Sequence, residues 1–140
     1  MSNPYEPEMT KAHWAKRPEK GTLYLEYPIC GRRIDGLIVL DDRITTKDES
    51  REKAPSLSQL TKDNAKVIVL QTKRNKLGMG VAGQTIISKT LLEQSGVEVV
   101  AAVAICLEID DKILGALRKH DCEAVVEVDP KDSCSRMPRS

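Results

Sequence analysis

The chain has no phenylalanine, and aromatic residues make up only 3% of its 140 positions. A core must therefore be built from aliphatic side chains, and base stacking on unpaired strands has few rings to draw on. Histidine is nearly absent too. His13 and His120 have no partner at catalytic or metal spacing, which removes Ser-His-Asp and Cys-His arrangements, and both read as surface residues. The four cysteines, Cys30, Cys106, Cys122 and Cys134, include no C-x-x-C pair, which argues against structural zinc. Three of them sit in or beside apolar runs and read as buried free thiols. No apolar stretch is long enough to span a membrane. The opening Met-Ser-Asn-Pro-Tyr-Glu-Pro-Glu lacks the basic and apolar regions of a secretion signal, so a soluble cytoplasmic protein is expected. The formal net charge of +1 gives no global attraction to a polyanion, so any nucleic-acid surface must be a local patch.

What is present is one domain's worth of chain, 40% hydrophobic and without internal repeats. Residues 1–21 read as an N-terminal arm, loosely held over 1–8, with a short helix over 9–16 that Pro18 stops. Strands follow over 22–29 and 33–40, joined at Cys30-Gly31-Arg32 as an antiparallel hairpin. Residues 41–65 form a polar insertion, with one helical turn over Ser56–Lys62. A third strand covers 66–72, a helix 77–94 ends at Ser95-Gly96, and an apolar strand over 97–107 suits burial on both faces. Asp110 and Asp111 open a helix over 112–119, and a last strand occupies 124–128. Residues 22–130 form the domain and 131–140 a flexible tail. The order αβββαβαβ is that of an α/β fold, a mixed sheet flanked by helices.

Chemistry concentrates on two strands. Asp35 lies near the start of one apolar run, and Gln71-Thr72-Lys73 closes another. Gln71 and Lys73 point the same way on a strand. If the two strands are neighbours about 5 Å apart, Asp35 meets that pair. A carboxylate, an amide oxygen and an ammonium then converge, which suits a hard cation and a phosphate. Mg²⁺ asks for one or two carboxylates and takes its other ligands from water and substrate. Arg32, Arg33, Arg74 and Lys76 lie close by in sequence and are candidates for contacts with a nucleic-acid backbone.

Arg32-Arg33-Ile34-Asp35 before an apolar strand, Val69-Leu70-Gln71-Thr72-Lys73 on the next, and Gly83-Gln84 on the following helix resemble the PD-(D/E)xK nuclease superfamily. The resemblance covers roughly residues 22–128. It implies a restriction-endonuclease-like fold and a Mg²⁺-dependent DNA endonuclease, with Mn²⁺ as a substitute, acting in restriction, recombination or repair. It further implies that Asp35 is a metal ligand, that Gln71 stands in for the second acid, that Thr72 lends a backbone carbonyl, and that Lys73 contacts the scissile phosphate. Gln84 resembles the helix residue that supports such sites. Duplex or branched DNA is the implied substrate, and a homodimer is one way for so small a protein to cut both strands. Two departures stand: Ile34 replaces Pro, and Gln71 replaces an acid. The acid that some members carry on the first helix has three candidates, Glu6, Glu8 and Glu26.

Two other readings follow from the residues. A protein that keeps the fold but binds nucleic acid or a protein partner without cutting would explain Gln71. Gly78-Met-Gly80-Val-Ala-Gly83 is a G-x-G-x-x-G, which with Glu108 or Asp110 would suit a small nucleotide-binding α/β protein, although residues 72–77 separate it from the strand.

Overall fold

The computed structural model of the protein describes residues 5–41, 48–49 and 54–127. Helix α1 (Glu6–Lys16) leads into the hairpin of β1 (Gly21–Ile29) and β2 (Arg32–Leu40). The hairpin closes at Cys30 and Gly31, both at positive φ, as a two-residue turn matching the strand twist requires. A two-residue strand, β3 (Asp48–Glu49), and helix α2 (Leu57–Lys62) come next. After them run β4 (Lys66–Thr72), α3 (Met79–Gln94), β5 (Glu98–Cys106), α4 (Asp111–Lys119) and β6 (Glu123–Val126). The strands form one mixed sheet in the order β3-β1-β2-β4-β5-β6. β2 is antiparallel to β4, whereas β4, β5 and β6 are mutually parallel through the α3 and α4 crossovers.

Two apolar layers hold the sheet. One gathers Val67, Val69, Ala104 and Cys106 under Leu60 of α2, Val81 and Leu92 of α3 and Leu117 of α4. The other gathers Leu23, Ile38, Ile68, Leu70 and Ile105 under Met9 and Trp14 of α1. Tyr27 is the single fully buried aromatic, so the core is aliphatic. β4 is buried at every position but its first, the pattern of a central strand. Among the described residues no helix is long and apolar enough to cross a membrane.

Several boundaries differ from the sequence reading. α1 starts at Glu6 rather than residue 9, because Pro7 lies in the first turn, where a missing N–H costs nothing, and Glu6 and Glu8 complement the helix dipole. Residues 6–8 are therefore helical, not a loose arm. His13 is buried, not a surface residue. Cys106 and Cys122 are buried thiols, but Cys30 is exposed in its turn; Cys134 and residues 128–140 lie outside the described residues. α3 begins at Met79 with Gly78 as N-cap, leaving Leu77 buried in the preceding loop. β5 is covered on both faces only in its second half, since Val100 is 48% exposed. The insertion contributes α2, capped by Ser56, whereas 42–47 and 50–53 lie outside the described residues.

Candidate active site

The β2–β4 ladder runs from Val39↔Val67 to Gly36↔Leu70 and then changes character. At the next position side chains take over from backbone. The Asp35 N–H donates to Gln71 Oε1 at 3.2 Å, and the Thr72 N–H donates to Asp35 Oδ2 at 2.7 Å. Gln71 Nε2 in turn donates to Ser88 Oγ of α3 at 2.8 Å. Asp35, Gln71 and Thr72 are thus joined directly. Lys73 follows with its N–H on Ile105 O (2.9 Å), its side chain exposed and its charge felt at Asp35.

The hairpin changes face at the same place. Leu23 and Leu25 face the α1 layer and Tyr24 the other, but Tyr27 and Ile29 both join the α3 layer. On β2, Ile38 and Leu40 face α1, while Ile34 joins Leu37 and Val39 on the α3 side. Side-chain alternation therefore resets at Glu26 and Asp35, between the pairs Leu25↔Gly36 and Tyr27↔Ile34. Glu26 carries the reset with φ +53, a left-handed conformation that costs a non-glycine residue about 1 kcal/mol. Such conformations concentrate at functional sites.

Asp35 lines a cleft of about 190 Å³ with Glu6, Pro7, Thr10, Leu25 and Glu26. Burial pushes its carboxyl up to about 6; the Thr72 N–H and Lys73 oppose this, and the charges of Glu6 and Glu26 reinforce it. Of the three acids left open by the sequence, Glu6 and Glu26 border this cleft, whereas exposed Glu8 lies 3.9 Å from Lys11. Glu6 is only 6% exposed, and its Oε2 accepts the Arg74 N–H at 2.9 Å. Thr10 donates to Glu6 O (3.0 Å) and sits 2.6 Å from Thr72 Oγ1, which leaves Thr72 as donor of that pair. Thr10 and Ser88 escaped the sequence reading, because a hydroxyl on a helix announces nothing about what lies opposite.

Gln71 opens onto a different cleft, of about 400 Å³, with Arg32, Arg33, Gln84 and Ser88. Here three expected residues, Arg32, Arg33 and Gln84, meet. The other cations are dispersed: Arg74 lies over the Tyr5 ring (4.9 Å to the centroid), and Lys76 Nζ lies 3.6 Å from Glu108. Arg33 lies 3.6 Å from Glu26 across the hairpin. The Lys76–Glu108 pair and a backbone bridge between the same residues engage one of the two acids that the nucleotide-binding reading offered, and the other, Asp110, caps α4. Gly80 and Gly83 leave open space, since a Cβ at either would meet nothing within 4 Å.

The donor set is poor in carboxylates. Among the described residues no three His, Cys, Asp or Glu side chains converge as a metal cluster. Asp35 supplies one carboxylate raised in energy by burial and by two nearby acids, a combination that a divalent cation relieves. The Gln71 amide oxygen accepts the Asp35 N–H and opens onto the other cleft, so the carboxylate and the amide oxygen do not converge as the sequence suggested. One carboxylate is the least that Mg²⁺ asks of a protein, its other ligands coming from water and phosphate oxygens. No protein-family model, curated protein or solved structure matches this chain.

Proposed function

We propose that the protein is a divalent-metal-dependent DNA endonuclease of restriction-endonuclease-like architecture. The observation that carries this reading is the half-buried Asp35 carboxyl, with its pKa near 6, hydrogen-bonded to the first residue before Lys73. A desolvated acid within electrostatic reach of an ammonium, at a break in two strands, is a costly arrangement that core packing does not need. The antiparallel β1-β2-β4 succession and the α3 crossover to parallel β5 agree with that architecture.

On this reading the Thr72 amide fixes one oxygen of Asp35, so the carboxylate is aimed before any cation arrives. Mg²⁺ (or Mn²⁺) bound there would polarise the phosphoryl group and lower the pKa of a water. Lys73 offsets charge that develops on the phosphate oxygens. Arg32 and Arg33 hold the backbone of a duplex or branched DNA beside the second cleft, with Gln84 on its opposite wall. One such centre cuts one strand, so double-strand cleavage would take a homodimer.

A second reading is a protein of this fold that binds DNA or a protein partner and does not cut. The observation favouring it is Gln71, whose amide is engaged at both ends by Asp35 N and Ser88 Oγ. A nicking assay on supercoiled and branched DNA with Mg²⁺ separates the two. Cleavage by the wild type, lost in Lys73→Ala, supports the endonuclease. Equal inertness of both over the panel removes it.

A further inference from the structure

The buried face of α1 is made of Glu6, Met9, Thr10 and His13, the i, i+3, i+4, i+7 spacing of one helix face, and three of the four are polar. Each polar member has a partner on the sheet side. Glu6 takes the Arg74 N–H, Thr10 meets Thr72, and His13 Nδ1 lies 3.5 Å from Glu127 Oε2. Glu127, just beyond β6, is 4% exposed, and its other oxygen binds Lys16 Nζ at 2.6 Å. Its backbone N–H is fixed to Cys106 O at 3.0 Å. The helix is thus fastened at both ends, to the Thr72–Arg74 segment at one and to the end of β6 at the other.

The His13 end is built for a neutral ring. Arg17 Nη1 lies 3.1 Å from His13 Nε2, and a guanidinium can only donate, so Nε2 is an acceptor and Nδ1 carries the proton toward Glu127. Arg17 is held in turn by Glu19 through two bonds of 3.1 and 3.0 Å. A proton on Nε2 would confront that donor directly. Charges facing the ring come from Lys16 at the end of α1, from Arg17 at its C-cap and from Glu127 beyond β6; Asp121 and Glu123 face Arg17 across a cleft of about 330 Å³, and the β5 residues there are apolar. Burial holds the His13 imidazole below its usual pKa, with Arg17 and Lys16 acting the same way and Glu127 opposing.

We propose that His13 and Glu127 are positioning residues, a proton-sensitive clasp that sets α1 so that Glu6 and Thr10 hold the Thr72–Arg74 segment. Protonation of His13 breaks the Arg17–His13 contact, shifts the C-terminal end of α1 and loosens the Arg74 amide two helical turns away, about 10 Å along a stiff rod. The bearing on catalysis rests on the endonuclease reading, because Lys73 lies in that segment. The bearing on Arg74 does not.

Amide hydrogen exchange of the full chain, followed by NMR at pH 7.5 and 5.5 and corrected for intrinsic rates, tests the clasp without DNA. It is run in an Asp35→Asn background so that the nearby carboxyl contributes nothing. Protection of the Arg74 N–H should fall severalfold at the lower pH, because protonation of His13 opposes the folded arrangement. His13→Gln, whose amide stays neutral, should abolish the fall. Arg17→Met, which removes the opposing donor, should blunt it and serves if His13→Gln does not fold. Equal protection at both pH values, or a fall that persists in every folded variant, overturns the proposal.

Discussion

Asp35 and Gln71 exchange a backbone N–H for a side-chain oxygen at 3.2 Å, in the place where two strands would otherwise continue their ladder. The bond gives Gln71 a structural duty that an acid at the same position could share, since a carboxylate also accepts. It also makes the site sensitive to small changes on β4.

Gln71→Ala removes the acceptor for Asp35 N and the donor to Ser88, and should cost about 1–3 kcal/mol in a denaturant melt. Gln71→Glu keeps the acceptor and lets the Ser88 hydroxyl turn round to donate. It should preserve the fold and tighten Mg²⁺ binding to the DNA-free protein in titration calorimetry. Unchanged affinity would take residue 71 out of the metal shell.

Asp35→Asn should stabilise the fold while abolishing cleavage. The carboxyl titrates near 6 in the folded chain against 3.8 ordinarily, so the folded state holds a proton more tightly. Its stabilising share is full below about 4 and is lost as pH rises through 6. Asn keeps an acceptor for the Thr72 N–H without that loss. The variant should exceed the wild type by about 1–3 kcal/mol at pH 7.5, the gain shrinking toward pH 4. A constant difference across that range would show that ionisation is not its cause.

His13 works in the opposite direction. Its lowered pKa gives stability that is present above about 6.5 and lost as pH falls. Melts of Asp35→Asn should therefore show a steeper acid loss than the wild type, and adding His13→Gln should flatten it.

Lys73→Ala should leave the melting temperature unchanged, because the side chain is exposed, and should lower cleavage about 10²–10³-fold. Gly36→Ala tests α1 docking. The new Cβ would stand 2.7 Å from Thr10 Cγ2 and 3.3 Å from Leu23 Cδ1, so the Thr10 side chain or the helix that carries it must shift. A cost of about 1–3 kcal/mol is expected, together with faster exchange of the Arg74 amide.

The strands that carry chemistry were legible because Val and Ile runs with charged ends announce themselves. β2 and β4 prove to be neighbours, but the expected convergence does not form: Gln71 meets the Asp35 backbone N–H and opens on the α3 side, whereas the Asp35 carboxylate takes the Thr72 N–H and lines the cleft under α1. The end of the domain that α1 covers was not legible. Its buried face offers Met9 as the single apolar residue, so period-based reading finds no amphipathic helix, and Glu6, Thr10 and His13 look like solvated side chains. Their partners, Arg74, Thr72 and Glu127, lie from 62 to 114 residues away in sequence, with no pattern linking them. Nor could the paired reset at Glu26 and Asp35 be seen, because a left-handed glutamate leaves no mark on composition.

That reset has a mechanical consequence. The base of the β1–β2 hairpin packs on both layers, Leu23 and Ile38 under α1 and Tyr24 and Leu37 under α3, whereas its buried tip residues Tyr27, Ile29 and Ile34 all join the layer under α3. The same two strands therefore serve both layers, so the layers should melt in a single step. The crossing point of that shared ribbon is Asp35 itself. Whatever binds there grips both halves of the molecule at once.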